Sequence, residues 1–94
     1  MEFRFYYDPI IDKLHIQKHN VSIEEIEEFF SEKTKRFKRQ RKDKSIVAIG
    51  KLATGRFLEV IFRRMSKNLL FIIKAYDITD KETIKFLSLG EFEK

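Results

Sequence analysis

The sequence predicts a small α+β domain. It would hold an antiparallel sheet of four to five strands, two N-terminal helices packed on one sheet face and a short C-terminal helix, in the order β-α-α-β-β-β-β-α. Three observations predict this. Apolar residues alternate with period two at the very start of the chain and again in long runs after residue 45. Between these regions, and again near the C-terminus, lie stretches with helix-start chemistry. The late strands are separated only by the short turn signals "TG" at 54–55 and "MSKN" at 65–68. Such turns join antiparallel neighbours, whereas parallel ones need a long crossover. Helices that precede and follow the strands, rather than alternating with them, mark α+β rather than α/β.

The elements follow in chain order. In "EFRFYY", Phe3, Phe5 and Tyr7 fall on one side and Glu2, Arg4 and Tyr6 on the other, a half-buried strand. Asp8-Pro9 then predicts a helix start, with Asp8 as cap and Pro9 in the first helical position. Ile10, Ile11 and Leu14 carry that helix to about His19, and Asn20 stops it in the left-handed conformation. "SIEE" is a capping box, Ser22 with Glu25, opening a helix whose apolar stripe is Ile23, Ile26, Phe29 and Phe30. The segment 34–40 is a strand candidate, and 45–53 is a buried strand. In "RFLEVIFRR", Leu58, Val60 and Phe62 share one face and Phe57, Glu59, Ile61 and Arg63 the other. In "NLLFIIKAYDI", strict alternation puts Phe71, Ile73 and Ala75 opposite Leu70, Ile72, Lys74 and Tyr76. Thr79 and Glu82 form a second capping box for a helix to about Ser88.

With 94 residues, no internal repeat and no Pro/Gly/Ser-rich linker, the chain reads as one domain spanning 1–94. Its 43% apolar content and ten Phe supply a core and argue against disorder despite 37% charge. The chain has no cysteine, so packing alone must hold it, which fits a reducing cytosol and predicts a cytoplasmic location. The N-terminus lacks a basic segment followed by an apolar one, and the longest apolar run, "LLFII", is far short of a membrane span. No membrane association is expected. The net charge of +5 points to an anionic partner, either nucleic acid or an acidic protein. Three glycines cannot make a phosphate loop, and no His/Asp/Glu group has metal-ligand spacing, so no cofactor or metal is expected.

Read together, several of these motifs resemble a known family. Asp8-Pro9, then Lys18-His19-Asn20-Val21-Ser22 leading into a helix, is similar to the opening of the BrnT toxins, members of the RelE/ParE-like superfamily of type II toxin–antitoxin systems. Ala48-x-Gly50, the hairpin pair Gly55-Arg56, "IIKAY" and Thr79-x-Lys81-Glu82 match further family features in the family's order, from about residue 3 to 87. Asn20 stands where the family has Gly, a substitution that keeps the left-handed option, and Tyr76 stands where many members carry Arg. The resemblance implies a ribonuclease toxin neutralised by a co-expressed antitoxin, commonly a ribbon-helix-helix protein, and hence a hetero-oligomer with that partner. The alternative is a catalytically silent module that binds RNA or a partner through the basic stretch 33–44.

Metal-independent RNA cleavage by the 2′-hydroxyl needs a base, cations for the phosphorane and an acid for the 5′-oxygen. His19 is the candidate acid or base, or else a histidine capping a helix end. His15 lies one helical turn away, a spacing that could hold a metal but lacks a third ligand. Arg56 either clamps a phosphate or flanks a hairpin at the surface. Arg63 and Lys74 are mid-sheet cations expected on the open face, and Tyr76 shares that face and offers a ring for base stacking. Tyr6 and Tyr7 offer rings too, with Tyr7 expected in the core.

The stretch "KTKRFKRQRKDK" at 33–44 holds eight Lys or Arg. Alternation puts Lys35, Phe37, Arg39 and Arg41 on one face and Arg36, Lys38 and Gln40 on the other. Charge on both faces forbids a central strand, so this is an edge strand or hairpin arm. Lys35, Arg36, Lys38, Arg39 and Arg41 are the expected contacts to RNA or antitoxin.

Overall fold

A computed structural model describes residues 1–81 of the chain. The C-terminal helix expected to run to Ser88 lies outside the described residues.

The chain opens with strand β1 (Glu2–Phe5), followed by two two-residue strands, β2 (Tyr7–Asp8) and β3 (Lys13–Leu14), and two short helices, α1 (His15–Lys18) and α2 (Ile23–Phe29). Four strands follow: β4 (Arg36–Gln40), β5 (Ile46–Lys51), β6 (Phe57–Ser66) and β7 (Leu69–Asp77). The main sheet has five strands in the order β1-β7-β6-β5-β4, and β2 pairs with β3 in a small sheet of its own. β4 to β7 form the expected antiparallel meander, but β1 runs parallel to β7, with Phe3 opposite Leu70 and Phe5 opposite Ile72.

The sheet is therefore mixed, and the described residues are mostly strand: 47% strand against 15% helix. This corrects the expected architecture of an antiparallel sheet with two N-terminal helices packed on one face. The main cause is Asp8-Pro9. Asp8 Oδ1 accepts from the Ile10 N–H at 3.0 Å, and the chain turns back at once so that Tyr7 meets Leu14 and Asp8 meets Lys13. The same carboxylate that can cap a helix thus closes a turn. Asp12 sits at φ 56, and Tyr7 OH donates to its carboxylate. Ile10, expected on the helix's apolar face, is 92% exposed, and Tyr7 is also exposed. What remains of the first helix is one turn, His15–Lys18, ending at Asn20 with the expected positive φ of 59.

The second helix forms where its signals place it. Ser22 Oγ accepts from the Glu25 N–H at 3.1 Å, while Glu25 Oε1 accepts from the Ser22 N–H at 2.9 Å. Ile26 and Phe29 are fully buried, whereas Ile23 is exposed. The core joins Ile16, Val21, Ile26 and Phe29 to Ala48, Leu58, Val60, Phe62, Leu70, Ile72 and Ala75 from the sheet. The Phe30 ring meets Phe62 edge-on at 4.9 Å. Gly50 is small for a reason: a Cβ there would lie 2.9 Å from the Lys35 carbonyl oxygen and 3.2 Å from the Phe29 ring.

Two hairpins use the same three-residue loop, in which the residue before the returning strand adopts the left-handed conformation. At 52–56 that residue is Gly55 at φ 95; at 41–45 it is Lys44 at φ 70. The closing bonds match: Leu52 N–H donates to Arg56 O at 2.8 Å, and Arg41 N–H donates to Ser45 O at 2.8 Å.

Strict alternation fails once in β7. Ile61 faces Lys74 and Phe62 faces Ile72, so Ile73 is an extra residue, a β-bulge. Because of it Leu70, Ile72 and Ala75 all reach the core, while Lys74 and Tyr76 turn to the other face. That face carries two cross-strand rows, Phe37–Ile49–Glu59–Tyr76 and Arg39–Val47–Ile61–Lys74.

Candidate functional site

The candidate cations separate into two kinds. Arg56, just after the Gly55 turn, points beneath the first turn of α2. Its Nη1 donates to both Glu25 oxygens at 2.7 and 2.8 Å, Nε donates to Asp77 Oδ1 at 2.5 Å, and Nη2 reaches His19 O and Asp77 Oδ2, each at 3.3 Å. The guanidinium therefore ties α2, the end of β7 and the end of α1 together. Asp77 foremost, with Glu25, holds its pKa above the ordinary arginine value against the opposing effect of burial. For Glu25, burial pushes the pKa up. Hydrogen bonds from the Ser22 N–H, Arg56 and the Ser22 hydroxyl outweigh it, and the carboxyl lies below its usual range.

Arg36 is the other committed cation. Its Nη1 donates to three carbonyl oxygens, Phe29 at 2.6 Å, Ser31 at 2.9 Å and Thr34 at 3.0 Å, and the guanidinium stands over the Phe30 ring at 5.6 Å. These carbonyls belong to the end of α2 and the loop after it, where backbone acceptors lack partners and a cation is favoured. Burial lowers the Arg36 pKa from its ordinary value. Ser31 and Thr34 hydroxyls both donate to Glu28 O, completing the helix end.

Lys38, Arg39 and Arg41 on β4 and its turn are exposed, as is Lys35 just before it. Arg63 is exposed on the open face, 4.0 Å from Asp43. Asp43 in turn accepts from the Ser45 hydroxyl at 2.6 Å and the Ser45 N–H at 3.0 Å, and these bonds hold its pKa below the usual carboxylate range.

The remaining candidates meet in one place. The His19 ring lies 5.8 Å from the Tyr76 ring, centroid to centroid, and Lys74 Nζ stands 6.0 Å from the centre of that same ring. The C-cap residue of α1 and two residues of β7, far apart in sequence, are thus gathered where α1 rests on the last strand. The His15 ring lies 5.6 Å from His19, and Tyr6 follows at 5.9 Å from His15, so a row of rings runs Tyr6–His15–His19–Tyr76. Burial, then His15, Lys18 and Lys74, lowers the His19 pKa, with Asp77 acting against them. The shift favours the neutral imidazole, the form able to accept a proton. Tyr76 OH donates to Glu59 Oε2 at 2.6 Å. Burial, and then this bond to a carboxylate, push the phenol pKa up to about 12, so it stays protonated.

Compared with known protein families, curated proteins and solved structures, the chain matches none. Among the described residues, no group of three or more His, Cys, Asp or Glu side chains is placed to hold a metal. No described helix is long and apolar enough to cross a membrane.

For a role in the site, the sequence points to neither Glu59 nor Asp77, and to Glu25 only as the capping partner of Ser22. Glu59 had a readable signal, an acid among Phe57, Ile61 and the flanking cations on the open face of β6. Glu25 and Asp77 had none, because they meet Arg56 across 31 and 21 positions. For His15 the sequence offers only a metal-ligand spacing to His19. In the fold it stands beside His19 with its Nδ1 buried, in ion-pair range of Asp8 Oδ2 at 3.5 Å and without a hydrogen-bond partner among the described residues.

Proposed function

We propose that the chain is an RNA-cleaving toxin of the BrnT type, acting by metal-independent 2′-hydroxyl attack and neutralised by a cognate antitoxin protein. One observation carries this reading: a neutral imidazole, a cation and an aromatic ring, His19, Lys74 and Tyr76, converge at the margin of the open sheet face. His19 takes the proton of the attacking 2′-hydroxyl. Lys74 faces the charge that grows on the phosphorane and is the donor at hand for the leaving 5′-oxygen. The Tyr76 ring, its hydroxyl fixed by Glu59, offers a face for a base. The products are a 2′,3′-cyclic phosphate and a 5′-hydroxyl. Arg56 takes the supporting role of fixing His19 through its carbonyl, because its donors are already engaged.

The test is incubation of single-stranded RNA with purified protein in a chelator. Cyclic-phosphate ends should appear, and His19→Ala should slow their release by about 100-fold or more, the usual worth of a positioned base. Cleavage that survives both His19→Ala and Lys74→Ala unchanged would refute the assignment.

A second reading, a silent module that binds RNA or a partner, is favoured by two facts: Arg56 holds two carboxylates instead of facing solvent, and the Tyr76 hydroxyl is bound to Glu59. It predicts salt-sensitive RNA binding with no cleaved ends at any pH.

A further inference from the structure

We infer that the free edge of β4 is a docking site for an extended acidic peptide, which adds a sixth strand to the sheet and seats an apolar side chain beside Phe37. The inference rests on the protein-partner half of the proposed function and does not need RNA cleavage.

Four observations converge on this edge. First, β4 ends the five-stranded sheet, and among the described residues no strand lies on its outer side. Second, the register says which backbone groups are free. Arg41 N–H donates to Ser45 O, so in the antiparallel alternation residues 39 and 37 also turn their backbone groups toward β5. The N–H and C=O groups of Lys38 and Gln40 therefore face outward. Third, the open face beside this edge carries a hollow of about 220 Å³ lined by Phe37, Arg39, Val47, Ile49 and Glu59. Phe37 is 41% exposed, large and apolar, in a stretch otherwise built of charged and polar residues. Fourth, Lys38, Arg39, Arg41 and Lys42 are exposed around it, and of the two neighbouring acids Asp43 is bound to Ser45 and Glu59 to the Tyr76 hydroxyl.

A phosphodiester chain would use the cations alone. It has no row of alternating N–H and C=O groups to pair with a strand edge and no aliphatic side chain for the hollow. An extended peptide uses all three features: main-chain bonds supply affinity, alternate side chains enter the hollow, and acids meet the cations. Edge strands rich in Lys resist pairing with other cationic or neutral edges. The same charge selects an acidic strand.

The probe is a fluorescein-labelled heptapeptide alternating Glu with Leu, followed by fluorescence anisotropy against the wild-type chain. Saturable binding is expected. Gln40→Pro removes an outward N–H without changing charge, at a position where an edge strand tolerates proline. It should weaken binding by about tenfold or more, comparable to losing one anchoring contact. Phe37→Ala should weaken binding by roughly tenfold through lost apolar burial. Each variant's thermal melt is recorded beside its titration, and the Phe37 variant keeps the test open if the proline variant does not fold. Equal binding by folded Gln40→Pro and wild type overturns the strand addition. So does an equally tight titration with oligo-glutamate, or a single-stranded RNA 12-mer that binds this edge while the peptide does not. A chain that binds the peptide but leaves RNA intact keeps this inference and loses the nuclease reading.

Discussion

Arg36 and Arg39 lie three residues apart on one strand, yet they do opposite things. Arg36 points to the helix side, where it is half-buried and holds three carbonyl oxygens at the end of α2. Arg39 points to the open side, where it is exposed and lines a hollow. The same contrast separates Arg56, with two carboxylates and a carbonyl around it, from Lys74, which stands over a tyrosine ring. A count of positive residues treats these four alike. Their hydrogen bonds divide them into cations that hold the fold and cations that remain available to a ligand.

The sharpest way to break that division is Arg56→Ala. It leaves Glu25 and Asp77 facing each other without their counter-charge and frees the His19 carbonyl. The expected loss is about 2–4 kcal/mol, a large part of the stability of a domain this size. Urea denaturation followed by circular dichroism measures it. Arg56→Lys should recover only part, because one ammonium cannot serve both carboxylates and the carbonyl with a fixed fork. A stability close to wild type in Arg56→Ala would show that the clasp contributes little.

Arg36→Ala comes next, at about 1–3 kcal/mol, since three carbonyl acceptors lose a charged donor at a helix end. By contrast, Lys38→Gln with Arg41→Gln should leave stability within about 0.5 kcal/mol, as both side chains are exposed and no closed network depends on them. If the double variant proved as damaging as Arg36→Ala, the separation of the basic run into two kinds would be wrong.

Much of this fold was legible and some of it was not, for physical reasons. The Ser22–Glu25 box, the Asn20 stop, the Gly55 hairpin and the edge position of β4 are local chemistry, and each formed as its residues dictate. Asp8-Pro9 is local too, but an aspartate bonded two residues ahead serves a turn as well as a helix cap, and the choice was settled by the return of Leu14 against Tyr7. The parallel pairing of β1 with β7 is a contact between the ends of the described chain that no short window contains. The bulge at Ile73 broke an alternation that the sequence presents as unbroken, and it aligned Lys74 and Tyr76 with Ile61 and Glu59. For the candidate site, the chemical types of His19, Lys74 and Tyr76 were readable. Their meeting, and the diversion of Arg36 and Arg56 into the scaffold, were not.

Acid should expose the clasp gradually. Glu25 has a folded pKa below its ordinary value, so its share of stability is present above the unfolded value near 4.3 and is lost as pH falls through the folded one. Stability should hold from pH 7 to about 5 and decline below, and Glu25→Gln should flatten that decline. A chain whose denaturation midpoint falls equally steeply in Glu25→Gln would assign the acid limb elsewhere.

The finest effect distinguishes the available cations from one another. Burial is the leading cause that lowers the His19 pKa, followed by repulsion from His15, then Lys18, then Lys74. Neutralising either lysine removes a charge that opposes the imidazolium, so Lys18→Gln and Lys74→Met should both move the His19 midpoint upward, with Lys18→Gln the larger step. The His19 proton resonance, followed by NMR across pH 5 to 8, reads this directly. The sign for stability follows from the same shift. A histidine depressed in the folded state contributes stability that is present above the unfolded value near 6.5 and lost as pH falls toward the folded one, so both variants should soften that loss. If His19 serves as the base, the acid limb of RNA cleavage moves upward with the same midpoint in Lys18→Gln, where the cation proposed to face the phosphate is intact. A midpoint indifferent to Lys74 would mean that the ammonium does not stand beside the imidazole, and the convergence on which the candidate site depends would be lost.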